Sequence, residues 1–253
     1  MTSLDREQEL AAGVETEVRA AVEALEFDAL KREFDDNNQL AFVPRFLPDR
    51  LVHSMIDEAR SLLPHVHRTR LPFIRKAGTV GQDRIGASAP ILHAVHRSAA
   101  LLDLASRLSG IELSFKSERD AHAAALYCYE RAGDHVGFHY DHCGCEETAS
   151  YTATVGLVHE TTARVEFQLF KDDPERPMRQ LFVAMEPGSL VLFCGSRAYH
   201  RVTPLRENER RIVYSFAYVR EGKKLTGVPR LVENFKDAIL YFGPKAIFQR
   251  NYR

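Results

Sequence analysis

The spacing of hydrophobic positions along the chain changes near residue 110. Before it, apolar residues recur every three or four positions. Leu10, Val14, Val18, Val22, Leu25 and Leu30 fall among charged residues and predict a helix over 7–34. Asp35, Asp36, Asn37 and Asn38 break that pattern, and an apolar run over 39–46, closed by Pro44, predicts a short strand. A second helix starts at Pro48 and Asp49, carries Leu51, Val52, Met55, Ile56, Ala59, Leu62 and Leu63 on one face, and ends before Pro64. A third is predicted over 90–108, with Gly110 placed as its C-terminal stop.

Beyond residue 110, short runs rich in Val, Phe, Tyr, Leu and Thr alternate with turn residues. They cover 124–129, 136–140, 151–158, 164–170, 181–185, 189–194 and 211–219. Strands at this spacing predict an antiparallel sandwich or barrel of the jelly-roll kind. A helical period returns over 230–242. The order of elements predicts one α+β domain over 1–253, with 1–110 as mainly helical support packed on the major sheet. Residues 111–220 would form the jelly-roll core and 221–253 a C-terminal helix and tail.

Charge narrows the partners. The 34 Lys and Arg residues nearly cancel the 35 Asp and Glu, and no basic block stands out, so neither nucleic acid nor a membrane surface is expected as a partner. No apolar run reaches the length of a membrane span. The first residues are charged and lack an apolar centre, so no signal peptide and a cytoplasmic location are expected. Cys143 and Cys145 lie too close together for a stapled framework, while Cys128 and Cys194 fall within apolar runs. All four read as reduced thiols, without the second cysteine pair that a structural zinc site would need.

The candidate chemistry starts at His139 and Asp141. Side chains two apart on a strand share a face, so this pair can offer an imidazole and a carboxylate to one ion. An aspartate facing a β core would be costly without a cation. A second apolar strand, over 189–194, leads through a short loop to His200. Two histidines and a carboxylate form the ligand set suited to non-haem Fe(II) and O2. Arg210, ten residues further on, offers a planar cationic fork suited to a carboxylate. Arg211 is its rival and would face the other side of the strand; the spacing from His200 favours Arg210. His135 and His142 flank the first pair and are read as surface residues or contacts to a substrate.

The combination His139-Tyr140-Asp141, His200-Arg201-Val202-Thr203-Pro204 and Arg210 resembles the Fe(II)- and 2-oxoglutarate-dependent oxygenase superfamily, in particular its prolyl-hydroxylase-like members. The resemblance covers roughly residues 124–218 and implies a double-stranded β-helix. It further implies that Tyr129 and Thr152 contact the cosubstrate. Arg75 to Val80, Gly133 to His139 and Asn208 to Val213 are similar to the branch holding free-amino-acid halogenases and related hydroxylases. There the resemblance implies a substrate carboxylate on Arg75, which otherwise reads as part of a basic loop. Halogenases of that branch replace the aspartate by glycine and bind chloride in its place; Asp141 departs from this and favours hydroxylation. The implied activity consumes O2 and 2-oxoglutarate with Fe(II), helped in vitro by ascorbate, to hydroxylate a small molecule such as a free or carrier-linked amino acid. A protein side-chain hydroxylase is the alternative. A cupin-like metal protein without oxygenase activity ranks lower, because cupins typically use a His-x-His pair with a downstream glutamate, which His139-Tyr140-Asp141 does not fit.

Overall fold

The computed structural model describes residues 2–117, 120, 123–141 and 150–220. The helix predicted over 230–242, together with His142, Cys143 and Cys145, lies outside them. The chain opens with α1 (Ser3–Glu23), α2 (Phe27–Asp36), β1 (Leu40–Val43) and α3 (Asp49–Leu62). A hairpin of β2 (His67–Leu71) and β3 (Arg75–Gly81) follows, then α4 (Gln82–Ser88), α5 (Pro90–His96) and α6 (Ala99–Ser109). The strands β4 (Leu113–Phe115), β5 (Ala124–Tyr129), β6 (His135–His139) and β7 (Ser150–Glu160) come next. They are succeeded by β8 (Val165–Leu169), β9 (Arg179–Val183), β10 (Leu190–Cys194), β11 (Tyr199–Val202) and β12 (Arg210–Arg220).

Every strand pairing is antiparallel, in the order β1-β10-β7-β12-β5-β3-β6-β11-β8-β9, with β2 added to β3 and β4 to β12. The sheet bends at β3, which pairs with β5 through Gly78–Gly81 and with β6 through Arg75 and Lys76. It thereby closes into two facing walls, the double-stranded β-helix. The helices cover the wall from β1 to β5. Val18, Phe34, Met55, Leu92 and Leu104 pack with Leu126, Leu157, Tyr214 and Phe216 in the larger core. A second core of Phe167, Phe193, Leu40 and Met185 fills the space between the walls. Burial of these side chains is the main stabilising term of the fold.

Three sequence expectations are modified. The helix predicted over 7–34 is two helices, because Val14 and Val18 bury a stripe separate from that of Leu30 and Phe34. The helix predicted over 90–108 breaks at Ser98, whose hydroxyl accepts from the Leu101 amide and so caps α6. Glu15 of α1 reinforces this start by accepting from the Ala100 amide at 3.2 Å and the Ser98 hydroxyl at 2.7 Å. Finally, Arg75, read as part of a basic loop, opens the second strand of the β2–β3 hairpin. Gly110 ends α6 in the left-handed conformation expected of it, at φ 69°.

Candidate metal and cosubstrate site

The β5–β6 turn is locked by Asp134, whose fully buried carboxylate accepts from the Glu130 amide at 2.9 Å, the Arg131 amide at 3.1 Å and Arg68 at 2.5 Å. This aims β6 along the open end between the walls. On β6, Gly137 donates its N–H to the Ile74 carbonyl at 2.8 Å, and a Cβ there would lie 2.5 Å from the Phe73 carbonyl oxygen. Only glycine lets the tip of the β2–β3 hairpin dock this closely.

His139 at the end of β6 is the cross-strand partner of His200 on β11. Their rings lie 4.3 Å apart. Asp141 completes the group, with Oδ1 3.3 Å from His139 Nε2 and 3.9 Å from His200 Nε2. The three donor atoms lie within 4.8 Å of one another. Each histidine sends Nδ1 to a main-chain carbonyl at 2.9 Å, His139 to Gly137 and His200 to Ala198. A carbonyl only accepts, so each Nδ1 carries the proton and each Nε2 presents a lone pair to the centre of the group. Burial works against an ionised Asp141, yet the histidines and the Thr152 hydroxyl hold its carboxyl below the usual range. Burial pushes His200 down to about 4. For His139, burial is outweighed by Asp141 and the Gly137 carbonyl, and its pKa is raised. The result is a carboxylate between two imidazoles, three donors converging from one side as a divalent cation requires.

The triad opens into a cavity of about 490 Å³ between the walls. Arg211 lines this cavity and Arg210 does not. Arg210 forms an ion pair at 3.2 Å with Glu160 on the outer surface. Alternation along β12 turns Arg211, Val213 and Ser215 inward and Arg210 outward, so the arginine at the cavity is the neighbour of the one that the spacing from His200 favours. Arg211 is 2% exposed and has no acidic partner among the described residues. Its guanidinium lies 5.0 Å from the centre of the Tyr129 ring, while Nε and Nη1 meet no hydrogen-bond partner among the described residues. A cation so buried is costly unless an anion meets it.

The other expected site residues divide. Tyr129, buried at the end of β5, is the cross-strand partner of Arg211 and lines the cavity. Thr152 also lines it, but its hydroxyl is committed to Asp141 Oδ2 at 2.8 Å. Arg75 opens β3 rather than lying in a loop. It is 5% exposed, bonds to Thr79 and sits 4.9 Å from the Tyr127 ring centre at the cavity wall. His135 turns its Nδ1 to the Gly133 carbonyl at 2.8 Å and does not line the cavity. His142 lies outside the described residues. Tyr127 and Lys116, unremarked in the sequence, line the cavity as well; Tyr127 carries a usable signal, being two residues before Tyr129 on one strand face.

No protein-family model and no curated protein matches the chain. Solved structures do. The chain is similar to the epimerase SnoN in complex with Fe3+, alpha ketoglutarate and nogalamycin RO, at 19% identity and a TM-score of 0.62, covering 80% of this chain and 88% of that one. It is similar to the non-heme alpha ketoglutarate dependent carbocyclase SnoK from nogalamycin biosynthesis, at 14% identity and a TM-score of 0.61, covering 79% and 85%. A prolyl hydroxylase from Trichoplax adhaerens, in complex with a hypoxia inducible factor peptide fragment, aligns at 12% identity and a TM-score of 0.61, covering 77% and 89%. At these identities the likeness is one of fold, and that fold is the double-stranded β-helix.

Proposed function

We propose that the protein is an Fe(II)- and 2-oxoglutarate-dependent dioxygenase that hydroxylates a carbon of a small molecule. One observation carries the reading. A His-Asp-His donor set and a buried arginine without an acidic partner among the described residues share a single cavity. A dicarboxylate keto acid answers both, one end chelating the metal and the other meeting a guanidinium.

In this reading His139, Asp141 and His200 hold Fe(II), and Arg211 binds the distal carboxylate of 2-oxoglutarate, with Tyr129 beside it. Bound there, iron and the keto acid supply the oxidising chemistry, in which O2 is consumed and 2-oxoglutarate leaves as succinate and CO2. The chain's own residues bind, orient and exclude water. Phe167 and Phe193 pack around His200 at ring distances of 5.4 and 5.0 Å and keep its face dry. Arg75, buried at the cavity wall, holds an anionic group of the substrate, which suits a free or carrier-linked amino acid. A cavity of about 490 Å³ is of a size that suits such a molecule.

The test is a substrate screen that follows succinate with Fe(II), ascorbate and 2-oxoglutarate, beginning with the free amino acids. Product mass then reads the outcome. One added oxygen derived from O2 supports hydroxylation. Loss of two hydrogens indicates ring closure or desaturation, an unchanged mass epimerisation, and each would replace the hydroxylase reading. Turnover of a proline-containing peptide alone would favour a protein side-chain hydroxylase.

A further inference from the structure

Asp141 lies two residues beyond the end of β6 and is held from two sides. From β7, the Thr152 hydroxyl donates to Oδ2 at 2.8 Å, so that Oδ1 is the oxygen turned toward the two Nε2 atoms. From the other side, the turn after β10 brings Gly195 against the Asp141 main chain. A Cβ built on Gly195 would lie 2.6 Å from the Asp141 carbonyl oxygen and 2.9 Å from its Cβ. Both distances are well inside van der Waals contact, and both atoms belong to the metal-facing residue itself. The turn has little room to retreat, since the Gly195 N–H donates to the Ser150 carbonyl at 2.8 Å where β7 begins. Backbone conformation does not explain the glycine. The positive-φ glycines of the described residues are Gly110, Gly133 and Gly188, and Gly195 is not among them. What the position demands is space.

We propose that Gly195, with Thr152, is a positioning residue for Asp141. The bare glycine backbone lets the aspartate sit at the depth where Oδ1 converges with the histidines, and the threonine decides which oxygen turns inward. The inference rests on the metal reading of the triad and reassigns Thr152 from the cosubstrate to the ligand. A methyl group at 195 displaces the Asp141 main chain and carries Oδ1 away from the two imidazoles, while His139 and His200 keep their own carbonyl anchors. The consequence is a two-histidine site with a misplaced carboxylate.

The experiment compares the wild type with Gly195→Ala, Thr152→Val and Thr152→Ser. Anaerobic Fe(II) titration against a competing chelator measures affinity, the visible spectrum of bound Co(II) reports coordination, and circular dichroism checks that each variant is folded. Gly195→Ala is expected to lower Fe(II) affinity roughly ten- to a hundredfold and to change the Co(II) bands. Thr152→Val should move both readouts the same way, and Thr152→Ser should restore them because it keeps the hydroxyl. A folded Gly195→Ala with wild-type affinity and an unchanged Co(II) spectrum overturns the proposal. If Gly195→Ala does not fold, the threonine pair decides, and identical behaviour of the valine and serine variants overturns it. Absence of Fe(II) binding by the wild type would defeat the metal reading as well. Wild-type binding that survives the substitutions defeats only the positioning role.

Discussion

The two faces of β12 carry the same chemical oddity and put it to different ends. On the inner face, Arg211 buries a guanidinium whose Nε and Nη1 lack partners among the described residues. On the outer face, the hydroxyls of Tyr214 and Tyr218 are likewise buried and unpartnered among the described residues, as are both ring nitrogens of His96, which packs 5.4 Å from the Phe216 ring. Buried polar groups are nearly always satisfied, so each case asks for a reason. The inner one has a reason in reach. It fronts a cavity shared with three convergent metal donors, where a ligand can supply the missing acceptor. The outer group is sealed between α5 and the sheet by Phe115, Phe216 and their neighbours. An unpartnered polar atom therefore marks a site only when a cavity and complementary chemistry stand beside it. Elsewhere it is a cost the fold carries.

The largest expected effect lies on the inner side. If the cavity serves iron and a keto acid, anaerobic Fe(II) plus 2-oxoglutarate gives the weak visible charge-transfer band of a chelated keto acid, and His139→Ala or His200→Ala abolishes it. A normal band in either variant would remove that histidine from the triad. Next in size is the arginine. Arg211→Ala removes a charge-assisted bidentate contact worth about 2–3 kcal/mol, so 2-oxoglutarate should bind roughly a hundredfold more weakly. Arg210→Ala breaks only a surface pair with Glu160 and should change that affinity less than about twofold. The reverse ranking of the two variants, read from titration of the charge-transfer band, would undo the contrast between the faces.

That pair also shows where sequence reading stops. The triad is legible because His139 and Asp141 share a strand face by simple alternation, and His200 follows an apolar strand. The choice between Arg210 and Arg211 is not, because β12 is buried on both faces over Ile212–Tyr214 and presents no polar-apolar alternation to set its phase. The small residues Ser215 and Ala217, on the face of Arg211, are the signal that points inward. The β2–β3 hairpin escapes for a related reason. Arg75-Lys76-Ala77-Gly78-Thr79-Val80 is almost wholly buried while looking like a basic loop. Its Gly78 is there because a Cβ would meet the Val66 side chain and the Cys128 carbonyl, a tertiary fact invisible in a window of sequence. The helix boundaries at 24–26 and at Ser98 fail similarly, since three-dimensional packing of α1, and not periodicity, decides where each stripe ends.

Arg75 gives a smaller test of the inner face. Its substitution by alanine should raise the KM for an anionic substrate by roughly tenfold or more, as loss of a charge-assisted contact does. The affinity for 2-oxoglutarate, read without substrate, should stay near the wild-type value. Equal loss of both would mean that the two buried guanidinium groups do not divide their ligands.

The smallest effect, and the one that isolates the outer face, concerns His96. Burial first, then the charges of Arg97 and His93, push its pKa down to about 3. A base depressed in the folded state is neutral there and charged in the unfolded chain below its ordinary value near 6.5. Its contribution to stability is therefore complete above about pH 6.5 and is lost progressively as the pH falls toward 3. By about pH 5 the loss amounts to roughly 2 kcal/mol, from about 1.4 kcal/mol for each pH unit traversed. His96→Phe keeps a planar ring against Phe115 and Phe216 while removing both unpartnered nitrogens, and replacing such groups with apolar ones of similar shape is neutral or stabilising. Urea unfolding at about pH 7.5 and pH 5 separates the cases. The variant should match or exceed the wild type at the higher pH and lead it by roughly 2 kcal/mol more at the lower, with Fe(II) and 2-oxoglutarate affinities unchanged at both. A variant that is markedly less stable at pH 7.5, or that loses cosubstrate affinity, would mean that the two faces of β12 are coupled and that the outer group is not merely a cost.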